Sequence, residues 1–136
     1  MAVLFSFPLF LISFAIYNMV VFLTPGVSWS GTVLSVPMQS GATWTISAGD
    51  CLIALSLVFL FFEVLKATRT YARTIVDHML STLVFIGALV EFLLVKEAAT
   101  SVFATLLLIS LVDVIGGWIV SMSSARRDIS VDNLPQ

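Results

Sequence analysis

Asp113 is the residue of this sequence whose position most needs a chemical reason. It stands inside the apolar stretch 100–122, which otherwise lacks charge. Counting back from Met122 it lies about nine residues in, roughly 13 Å at 1.5 Å per residue, near the middle of a ~30 Å hydrocarbon layer. A carboxylate at that depth costs about 2.5–3.5 kcal/mol on insertion scales, so it has to face protein or water instead of lipid. Ser110, Gly117, Ser121 and Ser124 share its helix face and make a small, polar stripe. Gly117, Ser121 and Ala125 recur four apart, a spacing that lets another backbone approach closely. Three roles are open to Asp113: a protonated carboxyl bonded to Ser56, Tyr17 or Asn18 of another helix, a proton or ion relay, or a contact with another subunit.

Other polar groups fall at helical spacing in the remaining apolar stretches. Thr74, Asp77, Ser81, Ala88 and Glu91 share one face. Glu91 is expected about a turn inside the outer boundary, pairing with Lys96 or lipid headgroups. Asp77 and His78 are expected to begin their helix. Ser56 and Glu63 share a face, and Glu63 is placed at the interface by pairing with Lys66 one turn away. The first stretch offers only Ser6, Ser13, Tyr17 and Asn18. The candidate intramembrane polar site is therefore Asp113 with Ser110, Gly117 and Glu91.

Catalytic chemistry has little to work with. There is no glycine-rich phosphate loop, no paired-carboxylate metal motif and no nucleophile elbow. One histidine cannot supply the paired imidazoles of a b-type haem or a His-rich zinc site, and one cysteine builds no disulfide framework. No enzyme activity, cofactor or metal is expected. With 6 Lys+Arg against 8 Asp+Glu, no basic face exists for nucleic acid.

The elements that must hold these residues follow from composition. The 136 residues are 60% hydrophobic and 10% charged, with a mean hydropathy of +1.12. A soluble domain carries about 25% charge, so this chain reads as an all-α integral membrane protein. Residues 1–49 contain no Asp, Glu, Lys, Arg or His. Helices are expected at about 3–23, 50–66, 76–95 and 100–122, each near the roughly 20 residues a span needs. A retained first helix is favoured over a signal peptide, since no basic n-region and no small-x-small site are present. The short link Lys96-Glu97-Ala98-Ala99 forces an antiparallel hairpin of helices, and the four make an up-down-up-down bundle in a single domain, 1–136. Asp50 suits the start of the second helix, where the dipole is positive.

Cations set the expected orientation. Lys66, Arg69 and Arg73 lie between the second and third helices, Arg126 and Arg127 follow the fourth, and only Lys96 lies opposite. That bias places both termini in the cytoplasm and segment 27–49 outside. The tail 123–136 is expected to hang free. Short loops and the lack of an Asn-x-Ser/Thr acceptor fit a bacterial inner membrane.

Segment 27–49 reads as a β-hairpin turning at Ser40-Gly41-Ala42, with Met38 opposite Trp44 and Val36 opposite Ile46. Pro37 restricts its strand to an edge. Trp29, Met38, Trp44 and Ile46 form a candidate external docking surface. A β-rich segment after the first of four helices resembles claudin-like proteins in layout, but the cysteine pair of that family is missing and no residue role transfers. The first helix also lacks the glutamate of small multidrug exporters. The expected function is a structural or regulatory accessory subunit of a larger membrane complex, with lipid, other subunits or further copies of itself as partners. The alternative is a small homo-oligomeric transporter or channel using Asp113 as a relay.

Overall fold

The computed structural model describes residues 7–67 and 71–132, with side chains described for all of these except 71–75, 121 and 124–132. It contains four helices and one two-stranded antiparallel hairpin: α1 (Phe10–Leu23), β1 (Thr32–Pro37), β2 (Thr43–Ser47), α2 (Ala48–Ala67), α3 (Tyr71–Leu94) and α4 (Ser101–Asp132). Three of these, α2, α3 and α4, are long and apolar enough to cross a membrane. The first helix is shorter than expected. Its 14 residues rise about 21 Å, less than the ~30 Å hydrocarbon layer. Of the expected start, 1–6 lie outside the described residues, and helical hydrogen bonding begins only at the Pro8 carbonyl, which accepts from Leu11 N at 3.1 Å.

Each helix end has a local cause. α1 stops at Thr24, whose hydroxyl bonds back to the Val20 carbonyl at 2.6 Å, just before Pro25 and Gly26. Gly26 has φ of 107°, a left-handed conformation that favours glycine. α2 opens on a reciprocal cap: Asp50 Oδ2 accepts from Ser47 N at 2.8 Å, and Asp50 N donates to Ser47 Oγ at 3.1 Å. Between α3 and α4 a short 3₁₀ turn, Lys96–Ala98, reverses the chain. Thr100 then caps α4 by accepting from Phe103 N at 3.2 Å. The expected free tail from 123 onward is instead helical to Asp132. No glycine or proline interrupts the chain between Gly117 and Pro135, so nothing stops the helix earlier.

α4 is the centre of the bundle. It packs along α2 and α3, while α1 rests on α2 and α4. Phe10, Phe14, Tyr17, Leu52, Ala88, Phe103, Leu106 and Ile109 make the core. Phe103 is the hub, with ring centroids 5.3 Å from Phe14, 4.8 Å from Tyr17 and 6.1 Å from Phe92. The outward faces are apolar, including Leu57, Phe61, Leu83, Leu93, Leu108 and Met122. A chain this apolar outside its core needs a non-aqueous surrounding.

The hairpin keeps its expected faces but not its expected partners. Val36 pairs with Trp44, Leu34 with Ile46 and Ser35 with Thr45. Met38 N donates to the Ala42 carbonyl at 2.8 Å and Gly41 N to the Met38 carbonyl at 3.0 Å. The turn is therefore Gln39-Ser40-Gly41, one residue earlier than expected, and the register slips by two. Gly41 explains the choice: its φ of 83° is what the last position of this three-residue loop requires, and Ala42 would be strained there. A shift of two leaves the alternation intact. An irregularity at Val33 ends the regular ladder.

β2 runs into α2 without a linker, and two hydrogen bonds secure the junction. Ala48 N donates to the Gly31 carbonyl at 3.0 Å, and Gly49 N to the Trp29 carbonyl at 2.9 Å. Gly49 permits the approach, since a methyl here would lie 2.6 Å from Val102 Cγ2 of α4.

Candidate functional site

The bundle has two polar regions, and each ties α1 to the other helices. At the end bearing the hairpin, Tyr17 is fully buried and its hydroxyl reaches the Glu97 carbonyl at 2.9 Å and Thr100 Oγ1 at 2.7 Å. Its ring stacks on Trp29, with centroids 4.8 Å apart and planes 9° from parallel. Halfway down, Ser56 Oγ of α2 donates to Ser13 Oγ of α1 at 2.8 Å.

At the opposite end Glu63, on α2, is only 6% exposed. Its Oε1 accepts from Leu9 N at 2.6 Å, where the free N–H groups of α1 gather. Its Oε2 lies 3.0 Å from Lys66 Nζ, which also donates to the Phe7 carbonyl at 3.0 Å. The expected interface residue is thus a buried anchor for the start of α1. The Glu63–Lys66 spacing was visible; that α1 would begin at this level was not.

Asp113 is 5% exposed and faces protein, as its depth required. Its partner is the Ser81 hydroxyl of α3, not the expected Ser56, Tyr17 or Asn18. Those three serve the α1 side of the bundle: Ser56 is committed to Ser13, Tyr17 to Thr100, and Asn18 Oδ1 is buried without a partner. One turn along α4, Gly117 meets His78 of α3 so closely that a Cβ would overlap the imidazole. His78 is 6% exposed and its Nε2 has no partner, and neither does Asp77 Oδ1. Both lie two turns inside α3, not at its start, because the helix already begins at Tyr71. Glu63 lies near enough to act electrostatically on both His78 and Asp113.

The structure therefore gathers Glu63, Lys66, His78, Ser81, Asp113 and Gly117 where α2, α3 and α4 meet. Ser110 is buried one turn from Asp113, as its stripe implied. Glu91 does not join them. It sits half-buried near the other end of α3, where its field reaches Tyr17, and among the described residues it forms no ion pair with Lys96. His78 was the member that sequence reasoning undervalued. The signal was the glycine at 117, which marks a place where α4 admits a bulky neighbour.

The expected docking surface also divides. Trp29 packs against the core through Tyr17. Ile46 is half-buried, whereas Trp44 is 57% and Met38 48% exposed. With Leu34 they leave one face of the hairpin open. Beside it, residues 27–30, Ser47 and the start of α4 border an open groove of ≈510 Å³. This groove lies at the hairpin end and not at Asp113. No family model, curated protein or solved structure matches the chain.

Proposed function

We propose that this chain is a small polytopic membrane protein that serves as a structural or regulatory accessory subunit of a larger membrane complex. The supporting observation is the uncovered apolar face of the hairpin, formed by Leu34, Met38 and Trp44. A two-stranded hairpin is marginal in water and gains stability when such a face is covered. By contrast, Asp113, Glu63 and Ser56 already have partners within the chain. The location that goes with this reading is a bacterial inner membrane, with both termini in the cytoplasm and the hairpin outside.

Mild extraction followed by native electrophoresis tests the proposal. The protein should migrate well above its own 14.8 kDa, and Trp44→Ser with Leu34→Ser should release it. Migration of the wild type as a lone species, with nothing co-purifying, contradicts it. Orientation is read separately by moving the lone cysteine: in Cys51→Ser/Ser40→Cys, an impermeant maleimide should label the turn in intact cells.

A second reading has its own observation. The unpartnered Nε2 of His78, near Asp113, suits a relay in a homo-oligomeric transporter or channel. Proton flux into proteoliposomes, unchanged in Asp113→Asn, would remove Asp113 from such a path.

A further inference from the structure

We infer that Glu63, His78 and Asp113, drawn together from α2, α3 and α4, form a proton-binding site in which His78 and Asp113 are alternative seats for the proton. The charge count is the first argument. Among the described side chains, two carboxylates, Glu63 and Asp113, meet one ammonium, and Lys66 is already committed to Glu63 at 3.0 Å. Asp113 is left with a hydroxyl from Ser81 and, among the described side chains, only the field of the Lys66 that Glu63 already holds. A buried charge without compensation is costly, and one added proton removes the imbalance.

His78 is 94% buried by its 6% exposure, yet Nε2 has no hydrogen-bond partner. An imidazole held in that condition is a vacant seat for a proton, one turn of α4 away from the level of Asp113. Gly117 gives it that position, since any side chain there would push the ring off α4. Ser81 and His78 are one turn apart on α3, as are Asp113 and Gly117 on α4, so the two α3–α4 contacts form adjacent layers. Ser81 serves either state, because its hydroxyl donates to an ionised carboxylate and accepts from a protonated one.

The groups facing the site come from every helix around it. α2 supplies Glu63 and Lys66, α4 supplies Asp113, and α3 adds Asp77, half-buried beside His78. α1 brings no Asp, Glu, Lys, Arg or His, and its one titratable group, Tyr17, is bonded to Thr100 and the Glu97 carbonyl at the hairpin end. Among the described side chains the negative groups outnumber the cation, Lys66, which favours holding the extra proton. The inference goes beyond the subunit reading, since it concerns what the buried cluster binds whether the chain works alone or in an assembly.

The chain's single histidine makes the test direct. In protein labelled with ¹⁵N-histidine and placed in lipid nanodiscs, the imidazole signals report His78 alone. They should titrate in the wild type. Proton binding should weaken about tenfold, one pH unit, in Asp113→Asn, and should also weaken in Glu63→Gln, which keeps an acceptor for Leu9 N–H. Glu91→Gln, near the other end of α3, should leave the curve unchanged. An imidazole that does not titrate in the wild type overturns the inference. So does a curve that is the same in the wild type and in either folded variant of Asp113 or Glu63.

Discussion

The two ends of the bundle perform one mechanical task with different chemistry. At each end a short α1 must be held against longer neighbours. At the hairpin end the hold is neutral: a buried tyrosine, a stacked indole, a threonine hydroxyl and a backbone carbonyl. At the other end it is ionic: Glu63 takes the Leu9 N–H and Lys66 takes the Phe7 carbonyl. The difference follows from where charge is present. Residues 1–49 carry no Asp, Glu, Lys, Arg or His, so the hairpin end relies on aromatic area and neutral hydrogen bonds. Lys66, in the last turn of α2, makes ion pairing possible at the other end. Each end also leaves buried polar atoms without a partner, but of different kinds: Trp29 Nε1 and Asn18 Oδ1 at the neutral end carry no charge, whereas His78 Nε2 and Asp77 Oδ1 at the ionic end belong to titratable groups. Among the described residues, buried Asp, Glu and His side chains are thereby concentrated away from the hairpin.

The largest expected effect lies at the neutral end. Tyr17→Ala removes a fully buried ring and should cost about 3–5 kcal/mol in unfolding measured in mixed micelles. Tyr17→Phe keeps the ring and should cost only about 1 kcal/mol for the lost hydroxyl bonds. Neither cost should depend on salt. If the phenylalanine variant matches the alanine one, the hydroxyl and not the ring makes the hold.

Next comes the α3–α4 contact. Gly117→Ala forces His78 aside and should cost about 1–3 kcal/mol, as overpacking generally does. In the background His78→Ala the same change should be nearly free, so a double-mutant cycle isolates the contact. Additive costs would mean that the imidazole does not occupy the space above Gly117.

Smaller still is the ionic hold. Glu63→Gln retains an acceptor for Leu9 N–H but loses the charge pair with Lys66, and stability should fall by about 1 kcal/mol. Lys66, whose side chain is 17% exposed, can turn to solvent, which limits the loss. Here, unlike at Tyr17, the difference from the wild type should shrink as salt is raised. The smallest effect belongs to the open hairpin face. Leu34→Ser should change the stability of the isolated protein by no more than about 0.5 kcal/mol, since Leu34 has little to lose there. Its consequence should appear only in the size of the native assembly.

The order of the elements was legible because apolar run length is a strong signal. Asp113 could be read as protein-facing from depth alone, and the Ser110–Asp113–Gly117 stripe does point inward. What could not be read was which neighbour each face meets. Asp113 reaches Ser81 because α3, not α1, packs along that part of α4, and a single helix's periodicity carries no record of its partner. The hairpin shows the limit on a smaller scale. Alternation fixed its two faces, but the register depended on which residue could take the left-handed turn position, and Gly41 outweighed the apolar matching of Met38 to Trp44. Glu63 looked like a surface residue because its neighbours in sequence are α2's last turn; it is buried by the start of α1, more than fifty residues earlier.

The central claim is that the buried polar cluster is closed within one chain, with Asp113 against α3. Oxidative cross-linking of Ser81→Cys/Asp113→Cys in a Cys51→Ser background, carried out in native membranes, tests it most directly. The account predicts a disulfide within the chain, read as a monomer of unchanged mass whose cysteines no longer react with maleimide. A disulfide-linked dimer, or two cysteines that remain free and reactive after oxidation, would contradict it.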